Sequence, residues 1–338
     1  MAREEYSVHG LAIQPHLTQR SLWLVSVIIC TYVPISSRAA VTAALLRRLH
    51  FDAIAAFGPL HLACLFIFWV PFDWSCVAWL AATYAVRMFA VTAGFHRYFS
   101  HRSFNVHRIT QFLLAFLAQT TAQKGVLWWA AHHRRHHRHS DTNEDAHSPV
   151  RQSFWWSHIG WLLSIDSDDY DRDIVQDLNV FPELRLLNHY HRVPAILFGA
   201  AVYAMGGFPA FIWGFVVSTV LLYHCTFSIN SLAHLWGSRR FDTRDDSRNN
   251  LFLAVITFGE GWHNNHHQFM YSVRQGLRWW EIDITYYILR VLSIFGIARG
   301  LRHVHPSAVL KAGRTIERYE HLKSGCDCAP CKMVRYRN

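Results

Sequence analysis

The sequence predicts an all-α integral membrane protein in which four transmembrane helices form two hairpins. Hydrophobic residues make up 51% of the 338 residues, yet charged residues make up 17% and the mean hydropathy is only +0.07. Such a chain is too apolar for an ordinary soluble domain and too charged for a bundle that lies wholly in the membrane. The main apolar stretches occur in two pairs, and the short turn within each pair contains no Lys or Arg. Turns without positive charge are typical of the side of the membrane away from the cytoplasm.

The first predicted hairpin joins spans at residues 53–70 and 76–95 through a tight turn at 71–75. The second hairpin joins residues 193–206 and 211–231 around a Gly-Phe-Pro turn. The span at 193–206 is short, so flanking residues must help it to cross about 30 Å of hydrocarbon.

Two further apolar stretches are predicted to lie along the membrane surface. Residues 21–35 are too short to cross the bilayer as a helix. Residues 109–129 carry polar side chains at helix-like spacing, among them Gln111, Gln119 and Lys124. This pattern indicates one amphipathic interfacial helix.

Arginines determine the predicted topology, because Lys and Arg collect on the cytoplasmic side of membrane proteins. They precede the first span, follow the second and follow the fourth, at Arg38, Arg47, Arg48, Arg97, Arg102, Arg108, Arg239, Arg240, Arg244 and Arg248. Both termini and the polar segments are therefore predicted to be cytoplasmic. The chain then divides into a cytosolic or interfacial segment at 1–50, a membrane domain at 51–305 and a cytosolic tail at 306–338. The net charge of +10 does not indicate nucleic-acid binding, because the arginines form no long basic run.

Three histidine boxes lie on this cytoplasmic side. They contain His96 and His101, then His133, His136 and His137, and finally His263, His266 and His267. Residues at i, i+3 and i+4 share one helix face, so the second and third boxes can each present three imidazoles to one point. The two histidines of the first box are five residues apart, which predicts that the second span frays or bends there.

These side chains predict a site for two metal ions. Eight imidazoles exceed the coordination positions of one ion, and imidazole suits several first-row metals, including iron. Asn230 and His234 lie one helical turn apart at the cytoplasmic end of the fourth span, and we expect them to join the site. His224, in the middle of that span, is predicted to be a hydrogen-bonded core histidine.

The sequence around the boxes resembles that of the membrane fatty acyl desaturases, in particular their delta-9 or stearoyl-CoA branch. The resemblance covers about residues 50–300 and is carried by TAGFHRYFSHRSF, HRRHHRHSDT, SHIGWLL, NSLAHLWGSRRF and GEGWHNNHH. It implies four spans beneath a cytosolic helical cap that holds two iron ions, with dioxygen as co-substrate. The implied iron ligands are His96, His101, His133, His136, His137, His234, His263, His266 and His267, and the implied role of Asn230 is to hold a metal-bound water.

The implied reaction removes two hydrogens from a long saturated acyl chain and leaves a cis double bond. We expect the chain to enter a closed apolar tunnel from the cytoplasmic side, with Tyr84 and Met88, one turn apart on the second span, closing its far end. Trp129, Trp161 and Trp262 are further candidate substrate-binding residues.

The sequence leaves more than one acyl carrier open, although it favours one reaction. Animal relatives have an Arg-Asp pair that holds the coenzyme A headgroup, whereas this chain has Ala131 and His132. An acyl-lipid or an acyl carrier protein is therefore an alternative to acyl-CoA.

The sequence contains no haem-binding HPGG element, ferredoxin-like cysteine domain or Gly-rich dinucleotide motif. We therefore expect a separate electron donor of the ferredoxin or cytochrome b5 type, with its reductase. Arg134, Arg135 and Arg138 are candidates to attract an acidic donor or to bind substrate headgroups. The sequence of the third box resembles that of bacterial members of the family. We therefore expect the protein to lie in a bacterial inner membrane, or in the endoplasmic reticulum if it comes from a eukaryote.

Two other functions fit parts of the pattern. A fatty acyl or alkane hydroxylase would use the same ligands, and a metal-binding or transport protein would also need histidines. The largely apolar spans argue against transport, since an ion pathway needs polar groups through the membrane. The cluster Cys326, Cys328 and Cys331 lacks a fourth cysteine and is predicted to lie in a disordered tail rather than to bind zinc.

Overall fold

The computed structural model describes residues 50–312, and this part of the chain is helical. Its α-helices up to residue 294 are, in chain order, α1 Phe51–Ala63, α2 Trp74–Phe89, α3 Arg108–Gln119, α4 Val126–His139, α5 Phe154–His158, α6 Gln176–Asn179, α7 Pro182–His189, α8 Val193–Ala210, α9 Ser218–Ser231, α10 Leu251–Ile256, α11 His263–Gln268 and α12 Ile284–Ile294. Residues 306–312 are helical again. Isolated bridges occur, but there is no β-strand in residues 50–312. The predicted helix at 21–35 and the cysteine cluster near the C-terminus lie outside the described residues.

Three helical runs are long and apolar enough to cross a membrane: Phe51–Phe68, Trp74–Ser100 and Val193–His234. The first two agree with the predicted first hairpin. The three runs confirm membrane-like spans, and the part of the chain that the structure describes is all-helical.

The third run, Val193–His234, reverses direction near its middle. Gly207 has φ 68° and ψ −163°, a conformation that essentially only glycine adopts. The two arms pack side by side, since Tyr203 contacts Phe211 and Phe198 contacts Phe215, each with ring centroids 6.3 Å apart. The run is thus two antiparallel helices joined at the predicted turn.

The prediction of one helix over residues 109–129 was wrong. The chain turns between α3 and α4, with positive φ at Ala122 and Lys124. The Asn188 side chain accepts hydrogen bonds from the backbone N–H groups of Leu127 and Trp128 and so caps the start of α4. These tertiary contacts outweigh the local amphipathic pattern, and the break allows α4 to pack against the end of the second span.

The second span ends in a π-helix, Ala90–Ser100. The backbone N–H of His101 donates to the carbonyl of His96, five residues earlier, over 3.2 Å. The expected fraying is therefore replaced by wider winding, because the i→i+5 turn of a π-helix brings residues five apart onto one face.

Two buried arginines connect the second span to the rest of the protein. Arg87 donates to the hydroxyls of Ser218 and Thr219 on α9, each over 2.6 Å. Arg97 forms ion pairs with Glu260, at 3.0 Å, and Asp283, at 2.9 Å. The first arginine joins the two hairpins, and the second joins the π-helix to the segments that follow α10.

One hydrophobic core runs from the spans into the polar segments. It includes Phe95 of the π-helix, Leu127 of α4, Leu184 of α7 and Leu289 of α12. The histidine-bearing segments are therefore packed against the end of the second span, where their side chains meet.

Candidate metal centre

The structure brings the nine predicted histidine ligands together in two clusters. The first cluster contains His96, His101, His133, His137 and His266, and the second contains His136, His234, His263 and His267. Within each cluster, the candidate ligand atoms lie within 4.8 Å of one another. Each cluster is therefore compact enough for one metal ion.

The second and third boxes are each divided between the two clusters. On α4, His133 and His137 face the first cluster and His136 faces the second. On α11 the division is reversed, since His266 alone belongs to the first cluster. The prediction that each box presents all three imidazoles to one point was wrong, because adjacent residues on a helix point about 100° apart.

The spacing of the imidazole nitrogens fits metal ligation. In the first cluster, consecutive Nε2 atoms are separated by 2.8 to 3.2 Å around a ring from His96 through His101, His133, His137 and His266. Neighbouring ligands at right angles on an ion with metal–nitrogen bonds of about 2.1 Å would be about 3.0 Å apart. In the second cluster, the Nε2 atoms of His234 and His263 are also 3.0 Å apart.

Carboxylates hold the opposite ring nitrogen of four of these histidines. Asp145 contacts Nδ1 of His136 at 3.1 Å, Asp141 contacts His234 at 2.8 Å, Asp245 contacts His267 at 2.6 Å and Glu260 contacts His96 at 2.5 Å. Such contacts place the ring proton on Nδ1 and leave the Nε2 lone pair for a metal. Without a cation, several lone pairs would face each other at hydrogen-bond distance. The residues therefore fit a metal at each cluster.

The sequence reasoning did not find these carboxylates. The available signal was their position near the boxes: Asp141 and Asp145 follow the second box, and Glu260 precedes the third by three residues. Asp245 had no such signal, because it lies 22 residues before His267.

The electrostatics keep the carboxylates charged and most of the imidazoles neutral. Although burial opposes ionisation, contact with His234 lowers the pKa of Asp141 to about 2. Despite burial, His96 and Arg97 likewise lower the pKa of Glu260 to about 2. Burial and neighbouring imidazoles hold the pKa of His133 and His266 well below its usual value, which leaves neutral rings able to bind a metal.

A cavity of about 540 Å³ begins beside the clusters. His133, His147 and Asn230 line it at this end, and Phe211 and Phe215 line it between the candidate spans. Its volume falls within the range of roughly 300–1,000 Å³ typical of small-molecule sites. Asn230 therefore lies at the part of the cavity next to the histidines.

The five predicted substrate-binding residues divide into two groups. Trp129 and Trp161 line the cavity. Trp262, Tyr84 and Met88 are not among its lining residues: Trp262 donates to the carbonyl of Ile282, Tyr84 donates to that of Ile256, and Met88 is buried in the core.

His224 is a hydrogen-bonded histidine inside the spans, as predicted. Its two ring nitrogens lie 3.2 Å from His61 and 3.1 Å from His158. His147 stacks on His136 with ring centroids 4.5 Å apart and lies beside Asp145.

Comparison with known proteins supplies independent information. The model of the fatty acid desaturase family matches residues 72–293. The acyl-CoA C20 Delta5-desaturase of Anemone leveillei is 38% identical over 251 residues, which is 72% of this chain and 79% of that protein. The sn-1 stearoyl-lipid 9-desaturase of Anabaena variabilis is 38% identical over 251 residues, 72% of this chain and 90% of that protein. The chloroplastic palmitoyl-monogalactosyldiacylglycerol delta-7 desaturase of Arabidopsis thaliana is 35% identical over 260 residues, 76% of this chain and 70% of that protein.

Proposed function

We propose, since the chain belongs to the fatty acid desaturase family and is an oxidoreductase, that it introduces a cis double bond at the delta-9 position of a long saturated acyl chain with two histidine-bound iron ions. The observation that carries this proposal is the convergence of nine imidazoles into two clusters beside a cavity that leads between the spans. When bound, iron would supply the oxidising power, with dioxygen, two external electrons and two protons, to remove two hydrogens as water.

The protein's own part is to hold the ligands and to position the chain. Asp141, Asp145, Asp245 and Glu260 orient the ligand rings through Nδ1. Trp129 stacks on His133 at 5.0 Å, and its indole N–H donates to Gln123, which in turn donates to Thr226. This hydrogen-bonded wall lies where the cavity passes the first cluster, so it would hold a methylene segment against the metals.

Asn230 is proposed to hold a metal-bound water at the second cluster. It lies four residues before His234 and lines the cavity. Its backbone carbonyl accepts a hydrogen bond from Ser157 over 2.9 Å, which restrains the position of its side chain.

The delta-9 position is supported by similarity to the sn-1 stearoyl-lipid 9-desaturases of Anabaena variabilis and Synechocystis. Other relatives are named for positions 5 and 7. Double-bond position is therefore the first property of the product to measure.

We also propose four membrane crossings, with the metal centre and both termini in the cytoplasm, in a bacterial inner membrane or in the endoplasmic reticulum of a eukaryote. The reversal at Gly207 supports two crossings within Val193–His234. Single cysteines placed at Phe72 and Phe208 should react with impermeant reagents only from the outer side, and one placed at Arg239 only from the cytoplasmic side.

A separate donor of the ferredoxin or cytochrome b5 type, with its reductase, is proposed to deliver the electrons. Arg135 and Arg138 are exposed on α4 and would attract an acidic surface. Arg134 instead donates to the carbonyls of Phe99 and Ser100 and pairs with Asp177, so it serves the internal structure.

Expression in a desaturase-deficient host tests the proposal. The wild type should produce acyl chains that have lost two hydrogens, and His266→Ala should not. Chains that have gained one oxygen would instead identify a hydroxylase. Equal double-bond formation by both proteins, or metal uptake into vesicles without lipid modification, would contradict the proposal.

A further inference from the structure

The cavity beside the metal centre reaches the outer surface of the spans. One face of α1 lines it through Ala53, Ala56, Phe57 and Leu60, and α8 lines it through Ala195, Ile196, Gly199 and Ala200. Of these, Ala56, Ile196 and Ala200 are exposed, and Ile196 is 64% exposed. The cavity therefore opens sideways between α1 and α8, on surfaces that face lipid if these helices cross the bilayer.

Basic side chains line the same cavity where α8 begins. They are Lys124, His191 and Arg192. Lys124 pairs with Asp168 at 2.6 Å, and burial, Lys124 and Arg192 lower the pKa of His191. Arg192 is exposed, and no partner for its guanidinium is found within residues 50–312. An apolar slot that ends beside an available guanidinium fits a lipid whose headgroup carries a phosphate.

The groove on the other side of α4 is unsuited to coenzyme A. Ala131 and His132 line it, together with Arg135, Tyr170 and Ile174 and the carboxylate-bearing Asp166, Asp169 and Asp171. His132 is already bonded to the backbone carbonyl of Asp169 at 3.1 Å. The several phosphates of coenzyme A would meet three carboxylates and one arginine here, and like charges brought together are unfavourable.

We infer that the acyl chain is presented as the ester of a membrane glycerophospholipid, which enters sideways between α1 and α8 with its phosphate beside Arg192. This inference rests on the proposed desaturase function and adds the carrier and the route to it. The lipid stays in its own leaflet, and only its acyl chain moves into the cavity towards His133.

Presenting the same stearoyl chain on three carriers tests the carrier. The iron-loaded, full-length protein in lipid nanodiscs, with ferredoxin and its reductase, would receive isotope-labelled distearoyl phosphatidylglycerol, distearoyl monogalactosyldiacylglycerol or stearoyl-CoA. Intact products would be analysed by mass spectrometry, so that transfer of the chain between carriers is detected. We expect the double bond on the phospholipid in preference to the other two carriers.

The alternative outcomes separate the two proposals. Desaturation of stearoyl-CoA alone, or of the galactolipid in preference to the phospholipid, would overturn the carrier inference and leave the desaturase function intact. No double bond on any carrier, despite a full iron content and reduction by the donor, would overturn both.

Matched variants test the route and the headgroup contact. Ala200→Trp should close the slot and lower turnover of the phospholipid about tenfold or more, whereas Ala201→Trp, exposed on α8 but outside the cavity lining, should not. Arg192→Gln should raise KM for the phospholipid about tenfold and leave kcat and the galactolipid KM unchanged. Arg290→Gln, an exposed arginine on α12, is its control.

Normal phospholipid turnover in Ala200→Trp, together with an unchanged KM in Arg192→Gln, would overturn the route. Iron content and thermal unfolding of each variant exclude a folding defect as the cause of lost turnover. If Ala200→Trp does not accumulate, the KM of Arg192→Gln for the phospholipid decides the test, because this conservative surface change should not affect folding.

Discussion

The two histidine clusters differ in what holds their ligands. In the second cluster, three of four histidines bond a carboxylate through Nδ1, namely those of Asp141, Asp145 and Asp245. In the first cluster, Glu260 holds His96, and no carboxylate contact is found for the other four histidines within the part of the chain that the structure describes. Carboxylates behind imidazole ligands raise ligand basicity and metal affinity. The second cluster would thus retain a bound ion more strongly, and the first would leave its ion more accessible.

Position in the protein agrees with this difference. His133 of the first cluster lines the cavity and stacks on Trp129. The second cluster is fully buried. The ion next to the substrate would therefore be the less tightly held one, and the two ions should not behave alike.

Loss of a ligand should have the largest effect and should expose the asymmetry. His266→Ala and His263→Ala each remove one imidazole, and each should lower desaturation by more than about 100-fold, since even supporting groups cost 10–100-fold. Iron analysis should find the ion of the first cluster lost in His266→Ala and a smaller loss of iron in His263→Ala, because the carboxylates behind the second cluster favour retention of its ion. Equal iron loss in both variants would contradict the asymmetry.

Glu260→Gln should have the next largest effect, and mainly on stability. Glu260 and Arg97 are both buried and paired, and removing one partner of a buried ion pair costs about 3 kcal/mol. Thermal unfolding of the metal-free protein in detergent measures this. Because Asp283 still pairs with Arg97 in this variant, Arg97→Met combined with Glu260→Gln should lower stability further by leaving the buried Asp283 carboxylate unpaired; a double variant more stable than Glu260→Gln would contradict this explanation.

Removal of a carboxylate behind the second cluster should weaken that ion selectively. Asp145→Asn and Asp245→Asn should each lower iron affinity about 10–100-fold, as measured by competition with a chelator. Glu144→Gln changes an exposed carboxylate beside Asp145 whose ion-pair partner among residues 50–312 is His139, and it should leave iron affinity unchanged. Weaker iron binding in this control as well would point to general surface charge instead.

Chelation of the wild type tests the comparison without any substitution. The chelator should remove one ion faster than the other, because access through the cavity and the shortage of carboxylates both favour release from the first cluster. The difference in affinity should be about tenfold or more. A single phase that releases both ions together would remove the proposed distinction.

The smallest effect should be on chain length. Phe211 and Phe215 line the cavity between the spans, so Phe211→Ala should favour longer acyl chains by a few-fold, at about 0.8 kcal/mol for each additional buried methylene. The sequence predicts instead that the acyl chain ends at Tyr84, so the chain-length preference of Tyr84→Ala should be measured in the same experiment. A shift in Tyr84→Ala with none in Phe211→Ala would place the end of the acyl chain along the second span.

Several features of the site could be predicted because they are local. The i, i+3 and i+4 spacing on α4 and α11 marks helical ligand sets, and apolar length marks the spans. The break between α3 and α4 could not be predicted, because it depends on Asn188, which lies 60 and 61 residues after the two backbone groups that it caps. The π-helix at His96 likewise depends on tertiary packing that overrides ordinary helical winding.

By itself, the sequence determined the ligand type, the apolar spans and the turn at Gly207, because each is encoded in neighbouring residues. Only the tertiary structure decided that His136 leaves its own box to join His234, His263 and His267, and that Asp141 and Asp245 support them. These groups are distant in sequence, and the way the helices cross sets which of them meet. The physical reason is that a metal centre needs ligand atoms about 3 Å apart, and no local pattern of the chain specifies distances between separate helices.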